Sequence, residues 1–205
     1  MTKQNHPSKT YYPTYDVISQ KNEWDEATQS VIFERVHSKE GNVLSATHKR
    51  TLQALSKCLF PSHLGEHTLS ISMVLDQRIT NKKLSTFPRE ARFTKEDIII
   101  QGLENTEQES IHQYHLPFFQ LDKNDQLSIM EAWKEIDGDP RIWNPIKSHL
   151  FHSTLTSELI KIIYADPHIW STIGFAGPAY PRGYYAFGPH QFDEWEAKPH
   201  DENLL

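Results

Sequence analysis

The sequence predicts an all-α protein, a small helical bundle with a long, irregular but ordered C-terminal extension rich in glycine, proline and aromatic residues. The bundle follows from apolar residues recurring every three or four positions through most of the chain. It follows also from the scarcity of strand signals, since "DIIIQ" at 97–101 is the one short β-branched run. The extension follows from composition. Gly174, Gly177, Gly183 and Gly188 are half of the eight glycines, and eight of the 23 aromatic residues fall between Trp170 and Trp195. With Pro167, Pro178, Pro181 and Pro189 interspersed, this stretch cannot continue as a helix or central strand. Its aromatic density argues equally against a floppy linker.

The elements follow in order. Residues 1–10 are expected to be a disordered tail. In "EWDEATQSVIFERV", Trp24, Ala27, Val31 and Ile32 share one face, with Val36 following; Asn22 can cap this helix and Glu23, Asp25 and Glu26 suit its positive end. Leu52, Leu55 and Leu59 mark a second helix, stopped by Pro61. Ile71, Val74, Leu75 and Ile79 mark a third, after which residues 80–100 are expected to be a connecting loop. Ile111, Tyr114 and Pro117 mark the end of a fourth, just after "DIIIQ". Leu127, Met130 and Trp133 make a fifth, closed by Gly138 and Pro140, with a loop over 138–147. Leu155, Leu159, Ile162 and Ile163 make a sixth, ended by Asp166-Pro167. The expected divisions are thus a helical domain over 11–165, the ordered extension over 166–197 and a frayed tail over 198–205.

Charge and composition exclude several classes of function. The net charge is −6 and no lysine or arginine cluster exceeds three residues, so a phosphate-binding footprint is missing and nucleic acid is an unexpected partner. An acidic chain is also repelled by anionic lipid headgroups. No apolar run approaches the roughly 20 residues that span a bilayer. The N-terminal "MTKQNHPSKTYYPTYD" lacks an apolar core, a twin-arginine pair and a small-residue cleavage site, so the expected location is cytoplasmic. The single cysteine, Cys58, precludes an intramolecular disulfide and reads as a buried, inert thiol.

Twelve histidines raise the question of a metal. Glu109 and His112 form a Glu-x-x-His pair on one helix face, with His115 a turn further on; His149 and His152 are three apart, His63 and His67 four. A di-iron carboxylate bundle needs two Glu-x-x-His motifs and two more helical glutamates, and this chain holds one such motif. "HLGEH" is not the His-Glu-x-x-His of zinc peptidases. An autonomous metal-dependent enzyme built from Glu109, His112, His115, His149 and His152 therefore stands as the alternative reading, with scattered surface histidine against it.

Other catalytic patterns are missing from the sequence. "GFAGPAYPRG" lacks the Gly-x-Gly-x-x-Gly spacing of a dinucleotide fold, and Pro178 removes an amide that a phosphate cradle needs. There is no Walker Gly-Lys-Ser/Thr and no Gly-x-Ser-x-Gly, while Asp137, Asp139, Glu194 and Glu196 lie in polar surroundings. The expectation is no catalytic residue, no metal site and no cofactor held by this chain. The extension does carry anchoring residue types. Trp170, Phe175, Tyr180, Tyr184 and Trp195, with Arg182 among them, are suited to an interface, and Gly174, Gly177, Pro178, Pro181 and Gly183 would shape a close backbone approach. The same side chains could instead fold back over the bundle.

These residues also carry a resemblance. "YADPHIWSTIGFAGPAYPRGY" at 164–184 and "FDEWE" at 192–196 resemble the C-terminal signature of the gluconate 2-dehydrogenase small subunit (subunit 3) family. "YDVISQKNEWDEATQSVIFERV" resembles its opening, "LQALSKCLFP" its first core helix and "GLENTEQESIHQYHLPFFQL" its middle, so the likeness spans roughly residues 11–197. The resemblance implies a non-catalytic accessory subunit beside a large FAD-dependent flavoprotein that oxidises a sugar, polyol or sugar acid. The small subunit would support folding, flavin retention or stability, and the FAD would sit in the partner. Many members carry an export signal, a pattern from which this N-terminus departs. A scaffold for a partner without flavin would share every residue feature above.

Overall fold

In a computed structural model the periodic apolar residues resolve into seven α-helices among the described residues: α1 Glu26–Val36, α2 Ala46–Leu59, α3 Thr68–Thr80, α4 Lys95–Tyr114, α5 Lys123–Glu135, α6 Ser148–Ile163 and α7 Pro167–Trp170. Two 3-10 segments, Val17–Glu23 and Phe118–Gln120, accompany them. The structure describes residues 17–37, 41–60, 68–84, 92–135, 138–170, 173, 175, 177 and 178, and no strand forms among these. The chain divides into two compact units, one of Met1–Ser38 and Tyr164–Leu205, the other of Lys39–Ile163.

In the larger unit, α2 packs against α3, α4, α5 and the 3-10 turn, while α6 packs against α3, α4 and α5. Most residues of the expected stripes form the core, while Leu59, Val74 and Leu127 stay half-buried. Leu52 and Leu55 of α2, Ile71, Leu75 and Ile79 of α3, Met130 and Trp133 of α5, and Leu155, Leu159, Ile162 and Ile163 of α6 are all buried. Each large side chain so removed from water contributes roughly 1.5–3 kcal/mol. Gly102 lets α4 approach α6, because a Cβ there would overlap the Phe151 ring.

One expectation fails in this unit. Residues 80–100 do not form a single loop, since α4 already begins at Lys95 and "DIIIQ" lies within it. A capping box explains why: the Thr94 hydroxyl accepts from Asp97 N, and the Asp97 carboxylate accepts from Thr94 N. Once that nucleus forms, Ile98 and Ile99 bury on the helix face, and tertiary packing overrides their preference for strand. At the other end His115 closes α4 in the left-handed conformation, φ 58°, and Pro117 follows.

In the smaller unit, Val17, Trp24, Ile32 and Trp170 form a buried cluster. The cap of α1 is Asp25 rather than Asn22, because the 3-10 segment carries the chain through Asn22 and turns Trp24 inward. The Asp25 carboxylate then accepts from Thr28 N at 2.9 Å. Ala27 and Val31 are exposed, so the expected apolar face of α1 narrows to Ile32, with Trp24 ahead of it. Asp166-Pro167 ends α6 as expected but also opens α7, a helical turn within the stretch expected to be irregular. Proline suits a first helical position, and the Asp166 carboxylate accepts from His168 N at 3.0 Å.

Candidate functional site

The residues with chemical potential in the larger unit are its buried acids, and each has a structural task. Glu109 is 2% exposed, and one of its oxygens accepts the indole N–H of Trp133 at 2.7 Å and of Trp143 at 2.9 Å. The two indoles meet edge to face with centroids 5.3 Å apart. Gly138, at φ +65°, gives Trp143 room, since a Cβ there would press on the indole. Glu107 accepts from the Thr51 hydroxyl and from Phe118 N, which ties the 3-10 turn to α2 and α4. Asp76 accepts from Val43 N and Leu44 N and pairs with Lys49 at 3.0 Å, fastening the approach to α2 onto α3. Glu158 takes the ammonium groups of Lys95 and Lys161, each at 2.8 Å.

Those acids set limits on a metal site. Glu109 directs one oxygen to the two indoles, while the other accepts from Gln113 at 3.3 Å. His112 and His115 are exposed, and Asp139, whose pKa is lowered to about 2 chiefly by its hydrogen bonds to Arg141, also feels His112. His149 is exposed, whereas His152 is half-buried with its Nε2 enclosed and its ring edge-on to Trp133. Burial and the charge of Lys134 hold His152 below the usual histidine value. Among the described residues no group of three or more His, Cys, Asp or Glu is placed to hold a metal ion. The alternative enzyme reading thus lacks its ligand set there; His63 and His67 lie outside the described residues. Cys58 is half-buried, its thiol 3.4 Å from the Gln126 carbonyl oxygen, and burial pushes its pKa up against the opposing pull of Lys123. A thiol held in its neutral form is a poor nucleophile.

The smaller unit exposes several apolar side chains. Val31, Phe33, Tyr164, Ile173 and Phe175 are large apolar residues at least 39% exposed. Phe33 stacks on His37 at 4.0 Å. A groove of about 720 Å³ runs beside α1, lined by residues that include Ile18, Trp24, Ile32 and Phe33. Of the expected interface residues, Trp170 is buried, packed in the cluster above, and donates its indole N–H to Tyr164 O at 3.0 Å. Phe175 stands edge-on to Trp170 at 5.1 Å and is exposed. Gly177 is buried at φ +94°, with its Cβ direction closed by Val17, and Pro178 is half-buried. Gly174, Tyr180, Pro181, Arg182, Gly183, Tyr184 and Trp195 lie outside the described residues.

Sequence reasoning did not foresee that these acids are buried and structural, although α4 carried a signal for it. Ile98, Gly102, Asn105 and Glu109 advance by three or four positions along one face, and Ile99, Leu103 and Glu107 do the same beside it. An acid continuing an apolar stripe must be buried with partners or end the stripe. The grouping of 17–37 with 164–178 had no local signal, because it joins distant parts of the chain.

No helix among the described residues is long and apolar enough to cross a membrane. No curated protein and no solved structure matches the chain. A family model described as gluconate 2-dehydrogenase subunit 3 matches residues 46–177, from the start of α2 to the buried glycine after α7. By that match over most of its length, the chain belongs to the gluconate 2-dehydrogenase subunit 3 family.

Proposed function

We propose that this protein is a non-catalytic small accessory subunit of an FAD-dependent oxidoreductase complex acting on a sugar, polyol or sugar acid. The FAD belongs to a large partner subunit, and this chain supports that partner's folding, flavin retention or stability. Family membership carries the reading, since a subunit implies an assembly. The buried acids of the larger unit are engaged in holding its own helices and turns together.

The partner-facing surface in this reading centres on Phe175 and the aromatic stretch that follows, with Tyr180, Arg182 and Tyr184 as anchors. Gly174, Gly177, Pro178, Pro181 and Gly183 set its backbone course. Trp170, itself buried in its own unit, stands edge-on to Phe175 at 5.1 Å.

Affinity capture of the full chain from its native host, with an absorption spectrum and protein identification of what co-purifies, tests the proposal. A stoichiometric large partner with an oxidised-flavin spectrum is expected, and Phe175→Ala or Tyr184→Ala should reduce its recovery. A colourless chain recovered alone under conditions that preserve complexes would overturn the reading.

A further inference from the structure

Buried hydroxyls on α2 and α4 donate to the carbonyl one turn back, Ser56 to Leu52 O at 2.8 Å and Thr106 to Gly102 O at 2.7 Å. On α6 the pattern breaks. Ser148 is the first residue of that helix and has no helical carbonyl behind it, while Thr156 does not bond back to its own backbone. Both hydroxyl oxygens are closed off from bulk solvent without a hydrogen-bond partner, and so is Nε2 of His152 between them. Positions 148, 152 and 156 recur every four residues, so the three polar groups lie along one stripe of α6.

A fourth such group meets the stripe from α4. Lys95 pairs with Glu158, and Gly102 abuts Phe151, so α4 and α6 run antiparallel. The same register sets Asn105 level with Ser148. Asn105 is 2% exposed; its Oδ1 accepts from Gln101 at 3.0 Å, and its Nδ2 has no partner. Trp133 closes one side of the seam, edge-on to the His152 ring. Enclosed polar atoms rarely stay unpaired, and four along one seam call for a shared solution.

We propose that this seam is a binding site for ordered water, one molecule held by Asn105 and Ser148 and another by His152 and Thr156. The chemistry of the donor set selects water. Asn105 Nδ2 can only donate, the two hydroxyls both donate and accept, and His152 Nε2 does either according to its tautomer. A water with a hydrogen bond of about 2.8 Å on each side spans roughly one helical turn, the separation of residues 152 and 156. Interior waters take two to four such partners. The seam lies wholly within the larger unit, and the inference is independent of the accessory-subunit reading.

Oxygen-17 relaxation dispersion of the full chain tests it, because that signal comes from long-lived water and not from labile protein hydrogens. Ser148→Ala and Thr156→Val should each remove the amplitude of one long-lived water. Ser153→Ala, which alters an exposed hydroxyl of the same helix, should remove none. Unchanged amplitude in either seam variant would overturn the proposal. The unaltered protein gives a second reading that needs no substitution. Water-to-protein NOEs with the sign of bound water are expected at the Asn105 side-chain amide, and their absence would overturn the inner site.

Discussion

Trp143 donates its indole N–H to Glu109 across 2.9 Å, which fastens the 138–147 connection to the C-terminal third of α4. Trp133 of α5 donates to the same oxygen. A carboxylate taken out of water is tolerable only with such donors, and each donor is equally dependent on the acceptor. The three side chains therefore stand or fall together.

Glu109→Ala should be strongly destabilising, because it leaves two buried N–H groups without an acceptor at roughly 1–3 kcal/mol each. Glu109→Gln keeps a carbonyl oxygen and should lose less. Urea midpoints of the two variants make the comparison, and an Ala variant as stable as the Gln variant would remove the argument.

Glu158 makes acid lability predictable. Burial pulls its pKa up, but the hydrogen bonds and charges of Lys161 and Lys95 hold it below the ordinary value of 4.5. A carboxyl depressed in the folded state contributes fully above its unfolded pKa and loses that contribution as pH falls through the folded value. Lys95→Met should cost about 2 kcal/mol near pH 7. Its deficit against the parent should shrink as pH drops below 4.5, where the acid protonates. A deficit constant with pH, measured by denaturation at several pH values, would disprove the role of charge.

His152 acts in a neighbouring pH window. Its burial favours the neutral ring, so its folded pKa lies below the ordinary 6.5. On acidification the unfolded chain protonates first, and stability falls from about pH 6.5 downward. His152→Leu should flatten the stability profile between about pH 5 and 7. A profile as steep as the parent's would show that other groups set it.

Gly177→Ala should loosen the smaller unit selectively. Its φ of +94° disfavours a side chain, and the added Cβ would lie 2.7 Å from Val17 Cγ1. A loss of about 1–3 kcal/mol is expected in that unit. Hydrogen exchange should quicken over 17–37 while α4 stays protected. Equal loosening of both regions would show that Gly177 acts on the whole chain.

How far the sequence could be read depended on the range of the interactions involved. The stripes of α2, α3, α5 and α6 were legible because burial on one helix face is written at fixed spacing. The start of α4 was missed because three adjacent isoleucines mimic a strand, while the Thr94–Asp97 box that decides the matter is a four-residue polar signal. Asn22 was mistaken for the α1 cap because a 3-10 segment and an α-helix share nearly the same apolar spacing. Glu109 stood out in sequence as a metal-ligand candidate; its two tryptophan donors, 24 and 34 residues away, were invisible. Trp170 was read as an interface residue, and its packing against Val17, Trp24 and Ile32, more than 130 residues earlier, was not legible.

That last separation has a consequence for synthesis on the ribosome. Trp24 and Ile32 emerge early and must wait for Trp170 before their cluster can close. Every helix from α2 to α6 meanwhile finds its packing partners within the intervening stretch. The nascent chain should therefore complete 39–163 first and join its two outer segments last. Protease pulses on stalled chains can read that order, with α1 still cleavable after α4 has become resistant.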